Sequence, residues 1–281
     1  MRPMSIAAGV EGFAARTPTL PPATHTNSYS LGGQEVVLVE PATPYDDERR
    51  EWLAWVAGLV SQGRTPRALF LTHHHGDHIG GAEFLSRELK LPIWAHEETA
   101  TRLPSLEISR RLRDGDEIVL EGPTAQRWEV LHTPGHAAGH LCLFDRDGGH
   151  LVVGDMVASE GTILIEPNDG HMATYLEQLK RLASLGAETA LPAHGEPIAT
   201  PTQLFEFYVH HRLMRENKVI AALDAAPAEG QTLDELVPSA YDDTPPAVWP
   251  LARMSLEAHL IKLAEEGRAR RDGARYALGQ A

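Results

Sequence analysis

Residues 73–78 read "HHHGDH", four histidines and an aspartate within six positions. Neutral imidazoles gain little from crowding and protonated ones repel, so a bound cation is the simplest reason to gather them. Three further pieces of chain offer the same donor types: His136 in "HTPGH", Asp155 in "VVGD" and His194 in "PAHGE". Each stands where an apolar run ends, and strand ends are where a scaffold can aim loop side chains at one point. Imidazole nitrogen and carboxylate oxygen without sulfur suit zinc, and also iron or manganese. Such a donor set, with no cysteine, argues for an open catalytic site over a closed structural one.

The elements that must carry these residues follow from the pattern of the chain. "THTNSYSL" (24–31) and "EVVLVEP" (35–41) read as the opening strands, joined at Gly32-Gly33. "DDERREWLAWVAGLVSQG" reads as a helix with acids at its N-terminus and Trp52, Trp55, Val56 and Leu59 on one face. "RALFLTHH" reads as strand then loop, "IGGAEFLSREL" as helix and "PIWAHEE" as a short strand. A β-rich middle takes in "DEIVLEG", "RWEVLHTPGH", "HLCLFDRDGGHLVVGD" and "GTILIEP". After it come an amphipathic helix, "MATYLEQLKRLASLG", and a strand leading into "AHGEP". Strand blocks interrupted by helices suggest two sheets with helices outside. The tail has another texture: three helical segments, then "RARRDGARYAL" with Asp272-Gly273 at a hairpin turn, which is the winged-helix order. We therefore expect a domain over 1–214 and a winged-helix-like domain over 215–281.

Composition narrows the function class. The 281 residues are 42% hydrophobic and 23% charged, an ordinary globular mix. The net charge of −14 disfavours loose binding to polyanions and anionic membranes. Arg268, Arg270, Arg271 and Arg275 flank the expected wing turn, yet residues 215–281 carry 8 basic against 11 acidic side chains and no aromatic row for stacking bases. The one cysteine, Cys142, sits in an apolar run and reads as a buried small side chain, consistent with a reducing cytoplasm. We read neither a signal peptide nor a membrane span.

The four motifs together resemble the metallo-β-lactamase fold superfamily: "HHHGDH" matches its H-x-H-x-D-H signature, and "HTPGH", the aspartate of "GD" and "AHG" match its later motifs in order, over about residues 20–215. The resemblance implies an α/β fold, an αβ/βα four-layer sandwich with metals at the sheet edges. It assigns His73, His75 and His136 to a first metal, Asp77, His78 and His194 to a second, and Asp155 as the bridge, a glyoxalase II-like set holding two zinc ions. Implied with it is hydrolysis by a hydroxide shared between the metals, with Asp77 as the catalytic residue that orients the nucleophile or shuttles its proton. "HTPGHAAGHLCLF", "HHRLMRE" and the winged-helix tail look closest to the lactamase-β-like protein 2 group, some of whose members are single-strand-specific endoribonucleases and others thioesterases. The favoured expectation is a small-molecule thioester or ester substrate, with the endoribonuclease as the alternative. The chain departs from the family at "VLVEPA", where relatives usually read aspartate, proline and glycine, so Glu40 inherits no role. His140 and His171 are candidates to touch substrate, His140 alternatively to support a ligand. His211 and Arg212 are candidates to reach the cleft, while His74, His132, His25 and Asn27 read as structural.

Overall fold

A computed structural model describes residues 3–159 and 161–279. The chain forms two compact units. The first comprises residues 1–133, 138–162 and 185–202, and the second 134–137, 163–184 and 203–281.

The first unit carries two sheets. A seven-stranded sheet runs in sequence order: β1 (Met4–Ala7), β2 (Val10–Arg16), β3 (His25–Leu31), β4 (Glu35–Val39), β5 (Thr65–Phe70), β6 (Ile93–His96) and β7 (Ile108–Leu112). The five-stranded sheet is built from β8 (Glu117–Leu120), β9 (Gln126–His132), β10 (Leu141–Asp145), β11 (His150–Gly154) and β12 (Thr189–Pro192), with β12 added parallel to β11 at one edge. Helices α1 (Asp46–Ser61), α2 (Gly76–Ile79), α3 (Ala82–Leu89) and α4 (Glu97–Arg102) interrupt the first sheet. Successive residues of a strand face opposite sides, and β4 shows the consequence. Val37 and Val39 join Phe70, Trp128, Leu143 and Leu191 in one core, while Val36 and Leu38 join Trp52, Trp55, Leu59 and Leu85 in another. The continuous apolar run of β4 thus serves a strand buried on both faces.

Two expectations need correction here. β1 and β2 precede the expected first strand: "MSIA" and "VEGFAAR" pair antiparallel through Gly9, whose φ of +76° allows the turn. "GTILIEP" forms no strand among its described residues, although Ile163 and Ile165 are buried. Its carbonyls are used by side chains instead, Leu164 O by His136 Nδ1 and Ile163 O by Arg212 Nη2.

The second unit contains α5 (Met172–Ala183), most of α6 (Pro201–Asp224), α7 (Leu233–Ala240) and α8 (Trp249–Glu265), with β13 (Gln231–Thr232), β14 (Ala269–Asp272) and β15 (Arg275–Leu278). β14 and β15 form the expected hairpin across Asp272-Gly273, and β13 completes a sheet of order β13-β15-β14. Its core gathers Val219, Leu236, Leu256, Leu260, Leu263 and Tyr276. This unit is larger than the expected 215–281 tail, because α6 runs unbroken through residue 215 and α5 packs with α8. Among the described residues no helix is long and apolar enough to cross a membrane.

Candidate metal centre

Three strand ends of the first unit bring six of the motif residues together. β5 ends at Phe70 and leads into Thr72, His73 and His75; the short α2 then turns Asp77 and His78 inward, its start held by His78 N–H donating to His75 O at 2.9 Å. Asp155 follows β11 and His194 follows β12. His73 Nε2 faces His75 Nδ1 at 3.0 Å. His78 Nε2 stands 3.5 Å from Asp155 Oδ1 and 3.8 Å from Asp77 Oδ1, and His194 Nε2 stands 3.3 Å from Asp155 Oδ1 and 3.5 Å from Asp77 Oδ2. Six of the seven expected ligands therefore share one edge of the first unit. His136 lies in the 134–137 segment of the second unit, where its Nδ1–H donates to Leu164 O at 2.9 Å.

These spacings fit a cation better than an ion-pair cluster. Charge-assisted hydrogen bonds close to about 2.7–2.9 Å, whereas all four imidazole–carboxylate distances are longer. Ligands of a tetrahedral zinc, each about 2.0–2.1 Å from it, stand about 3.3–3.4 Å from one another, which is close to what the chain presents. Among the described residues His78 Nε2 is buried without a hydrogen-bond partner. Asp77, His78 and His194 each place one donor atom within 4.8 Å of the other two.

The electrostatics point the same way. Burial opposes ionisation of Asp155, but His194 and His78 beside it outweigh that cost and hold its carboxyl well below the usual range. Burial would likewise discharge His78 and His194, yet Asp155, with Asp77 at His78, raises both above the ordinary histidine range. Asp77 is lowered against its burial by His78. The buried Asp155 and the half-buried Asp77 thus demand positive charge between them, which protons on the imidazoles or a divalent ion can supply.

Glu40 is the functional residue that sequence reasoning left unassigned. It follows β4 in the left-handed region at φ 55°, a conformation that costs a non-glycine residue energy and that places its carboxylate, 1% exposed, beneath the ligands. Thr72 Oγ1–H donates to Glu40 Oε1, so the hydroxyl can only accept from His73 Nδ1–H, at 2.9 Å. The same Oε1 accepts from His78 Nδ1–H at 3.2 Å. One carboxylate oxygen therefore engages Nδ1 of two candidate ligands, directly at His78 and through Thr72 at His73, and leaves Nε2 of both facing the centre. His194 is set the same way by donating Nδ1–H to His25 O at 2.9 Å. The sequence signals for Glu40 were an acid placed after the apolar run "VVLV" and the departure of "VLVEPA" from the residues usual in relatives.

The remaining candidates have other partners. His171 caps α5, its Nδ1 accepting from Thr174 N–H, and its Nε2 stands 2.9 Å from Glu265 Oε2. Arg212 is buried over the ring of Tyr175, and His211 stacks on Phe207. The wing arginines are tied down inside the second unit: Arg268 to Glu216 and Glu266, Arg270 to Ala228 O, Arg271 to Gly273 O, and Arg275 to Gly230 O and Glu235.

Residues 21–194 match the family model described as the metallo-beta-lactamase superfamily. The chain belongs to that superfamily. Residues 232–277 match the beta-lactamase associated winged helix domain, and the superfamily's members are generally metal-dependent hydrolases. A beta-lactamase-like protein 2 homolog from Drosophila melanogaster is 28% identical over 256 residues, covering 87% of this chain and 84% of that protein. The solved structure of a metallo-beta-lactamase family protein from Thermus thermophilus superposes with a TM-score of 0.79 at 27% identity, covering 98% of this chain and all of that one. Another solved structure, that of a protein in a di-iron-bound form, matches with a TM-score of 0.50 at 29% identity over 66% of this chain and 96% of its own.

Proposed function

We propose that the chain is a dinuclear-metal hydrolase acting on a small-molecule thioester or ester. The observation that carries this reading is the group of Asp77, His78, Asp155 and His194, whose nitrogen–oxygen distances of 3.3–3.8 Å suit a shared cation and are too long for charged hydrogen bonds. Following the family pattern, His73, His75 and His136 would hold a first metal and Asp77, His78 and His194 a second, with Asp155 serving as a ligand common to both. Zinc is the favoured ion, with iron, as in the di-iron-bound relative, and manganese also matched to these donors; bound there, the pair would supply Lewis acidity and bring the pKa of a water to about 7.

The protein's own residues do the rest. Glu40 and Thr72 take the Nδ1 protons of His73 and His78, so that Nε2 of each ring is the atom turned inward. Asp77 has the most exposed side chain of its group, 18% against 11% for Asp155 and 8% for His194. It is accordingly the carboxylate that an incoming water meets, able to accept that water's proton at Oδ1 or Oδ2 and orient its lone pair toward a carbonyl carbon. A neutral or singly charged substrate suits a protein of net charge −14 better than an RNA does. The engagement of the wing arginines within their own unit supports the same choice. A single buried cysteine fits a cytoplasmic setting.

One zinc-loaded preparation, assayed in parallel on acyl thioesters by thiol release and on labelled single-stranded RNA by fragment length, tests the reading. Thioester turnover that disappears in Asp77→Ala is expected. RNA cleavage that depends on Asp77, without thioester turnover, would replace the substrate class with the endoribonuclease.

A further inference from the structure

His140 stands immediately before β10, fully buried, with its ring centroid 5.2 Å from that of His73. Its neighbours determine its chemistry. The backbone N–H of Asp155 can only donate, and it points at His140 Nε2 from 3.1 Å. Nε2 must therefore carry a lone pair, which leaves the proton of the neutral ring on Nδ1. That proton is donated to Thr133 Oγ1 at 2.8 Å, and the Thr133 hydroxyl lies 3.3 Å from Cys142 Sγ. One backbone donor thus fixes the tautomer of a buried imidazole, and both ring nitrogens are spent within the protein.

The turn that His140 holds is the one that delivers Asp155. Gly154 adopts φ +48°, and a Cβ at that position would lie 2.6 Å from His140 Nε2 and 3.1 Å from Thr72 Cβ. The backbone of β11 therefore ends pressed against the imidazole edge, and the next residue projects its carboxylate to within 3.3 Å of His194 Nε2 and 3.5 Å of His78 Nε2.

We propose that His140 is a positioning residue: by accepting the Asp155 N–H it locks the Gly154-Asp155 turn and aims the Asp155 carboxylate at the metal centre. It is neither a ligand nor a substrate contact, despite sitting beside His73. The proposal rests on the reading that Asp155 is a metal ligand. What matters is an acceptor at the Nε2 position, more than the ring that carries it.

Three variants separate these roles. Gln places its carbonyl oxygen as many bonds from Cα as Nε2; Asn stops a bond short, near the place of Nδ1; Leu fills space without an acceptor. Cobalt(II) uptake, followed by visible absorption and by metal content after dialysis, reads the site independently of turnover, with melting of the metal-free proteins run alongside. We expect His140→Leu and His140→Asn to bind the second equivalent ~10–100-fold more weakly, and His140→Gln to recover most of that loss. Wild-type uptake by a folded Leu or Asn variant would overturn the proposal, as would failure of the Gln variant in either binding or folding. Should the Leu variant not fold, the comparison of Gln with Asn carries the test. Wild type and Asp155→Asn serve as controls: if wild type takes up no second equivalent, or Asp155→Asn leaves uptake unchanged, the metal reading itself has failed whatever His140 does.

Discussion

Replacing Glu40 by glutamine removes one charge and almost no volume from beneath the metal centre. The carboxylate oxygen Oε1 takes two hydrogen bonds, from the Thr72 hydroxyl and from His78 Nδ1 at 3.2 Å, and through Thr72 it orients His73 as well. Hydrogen bonds to a charged partner contribute about 1.5–3 kcal/mol and neutral ones about 0.5–1.5 kcal/mol, so converting both costs about 2 kcal/mol of ligand orientation. At about 1.4 kcal/mol per decade that is ~30-fold in metal affinity. The measurement is competition for zinc against a chromophoric chelator at neutral pH, with melting of the metal-free protein as a control, because removing a buried charge can raise apo stability as readily as lower it. Affinity in Glu40→Gln within ~3-fold of wild type, under a scale on which one decade is about 1.4 kcal/mol, would refute the idea that Glu40 organises the ligands.

Gly154→Ala forces a side chain into a left-handed position and against His140 Nε2, so the folded state should lose about 1–3 kcal/mol in denaturant titration, together with metal affinity. Chelation should lower the melting temperature of wild type, since an ion bound only by the folded state contributes about 4 kcal/mol at a thousandfold excess over its Kd; a melt indifferent to chelator would count against a metal centre. The second unit should be labile to acid. His259 is pushed down from 6.5 to about 4, by burial above all, so stability complete above pH 6.5 is lost as pH falls from 6.5 to 4, on the order of 3 kcal/mol. Glu216, held near about 2 against its burial by His259 and Lys262, is complete above pH 4.5 and extends the loss from there to pH 2. Urea titrations of wild type and His259→Leu across that range check the sign: the variant should lose the upper part of the pH dependence.

The metal site was legible because its chemistry is local. "HHHGDH" fits five candidate donors into one loop and the turn of α2, and "HTPGH", "GD" and "AHG" each place one within four residues of a strand end, so residue types and order marked them as candidates. The wing hairpin was legible for a similar reason, since Asp272-Gly273 signals its turn within four residues. Less visible were β1 and β2, whose short mixed sequences become strands only by pairing with each other and with β3. The "GTILIEP" segment misled because its apolar alternation is that of a strand, while its carbonyls are taken by side chains distant in sequence.

The sequence by itself determined which candidate donors are present and their order along the chain, because those properties belong to residue types and short spacings. Only the tertiary structure decided how those donors are held. Glu40 lies 32 residues before Thr72 and 38 before His78, and His140 lies 15 before Asp155. Hydrogen bonds across such separations exist only once parallel β4 and β5, and antiparallel β10 and β11, have brought their ends together. The proton positions on His78, His140 and His194 are then set by partners that no local pattern in the chain could name.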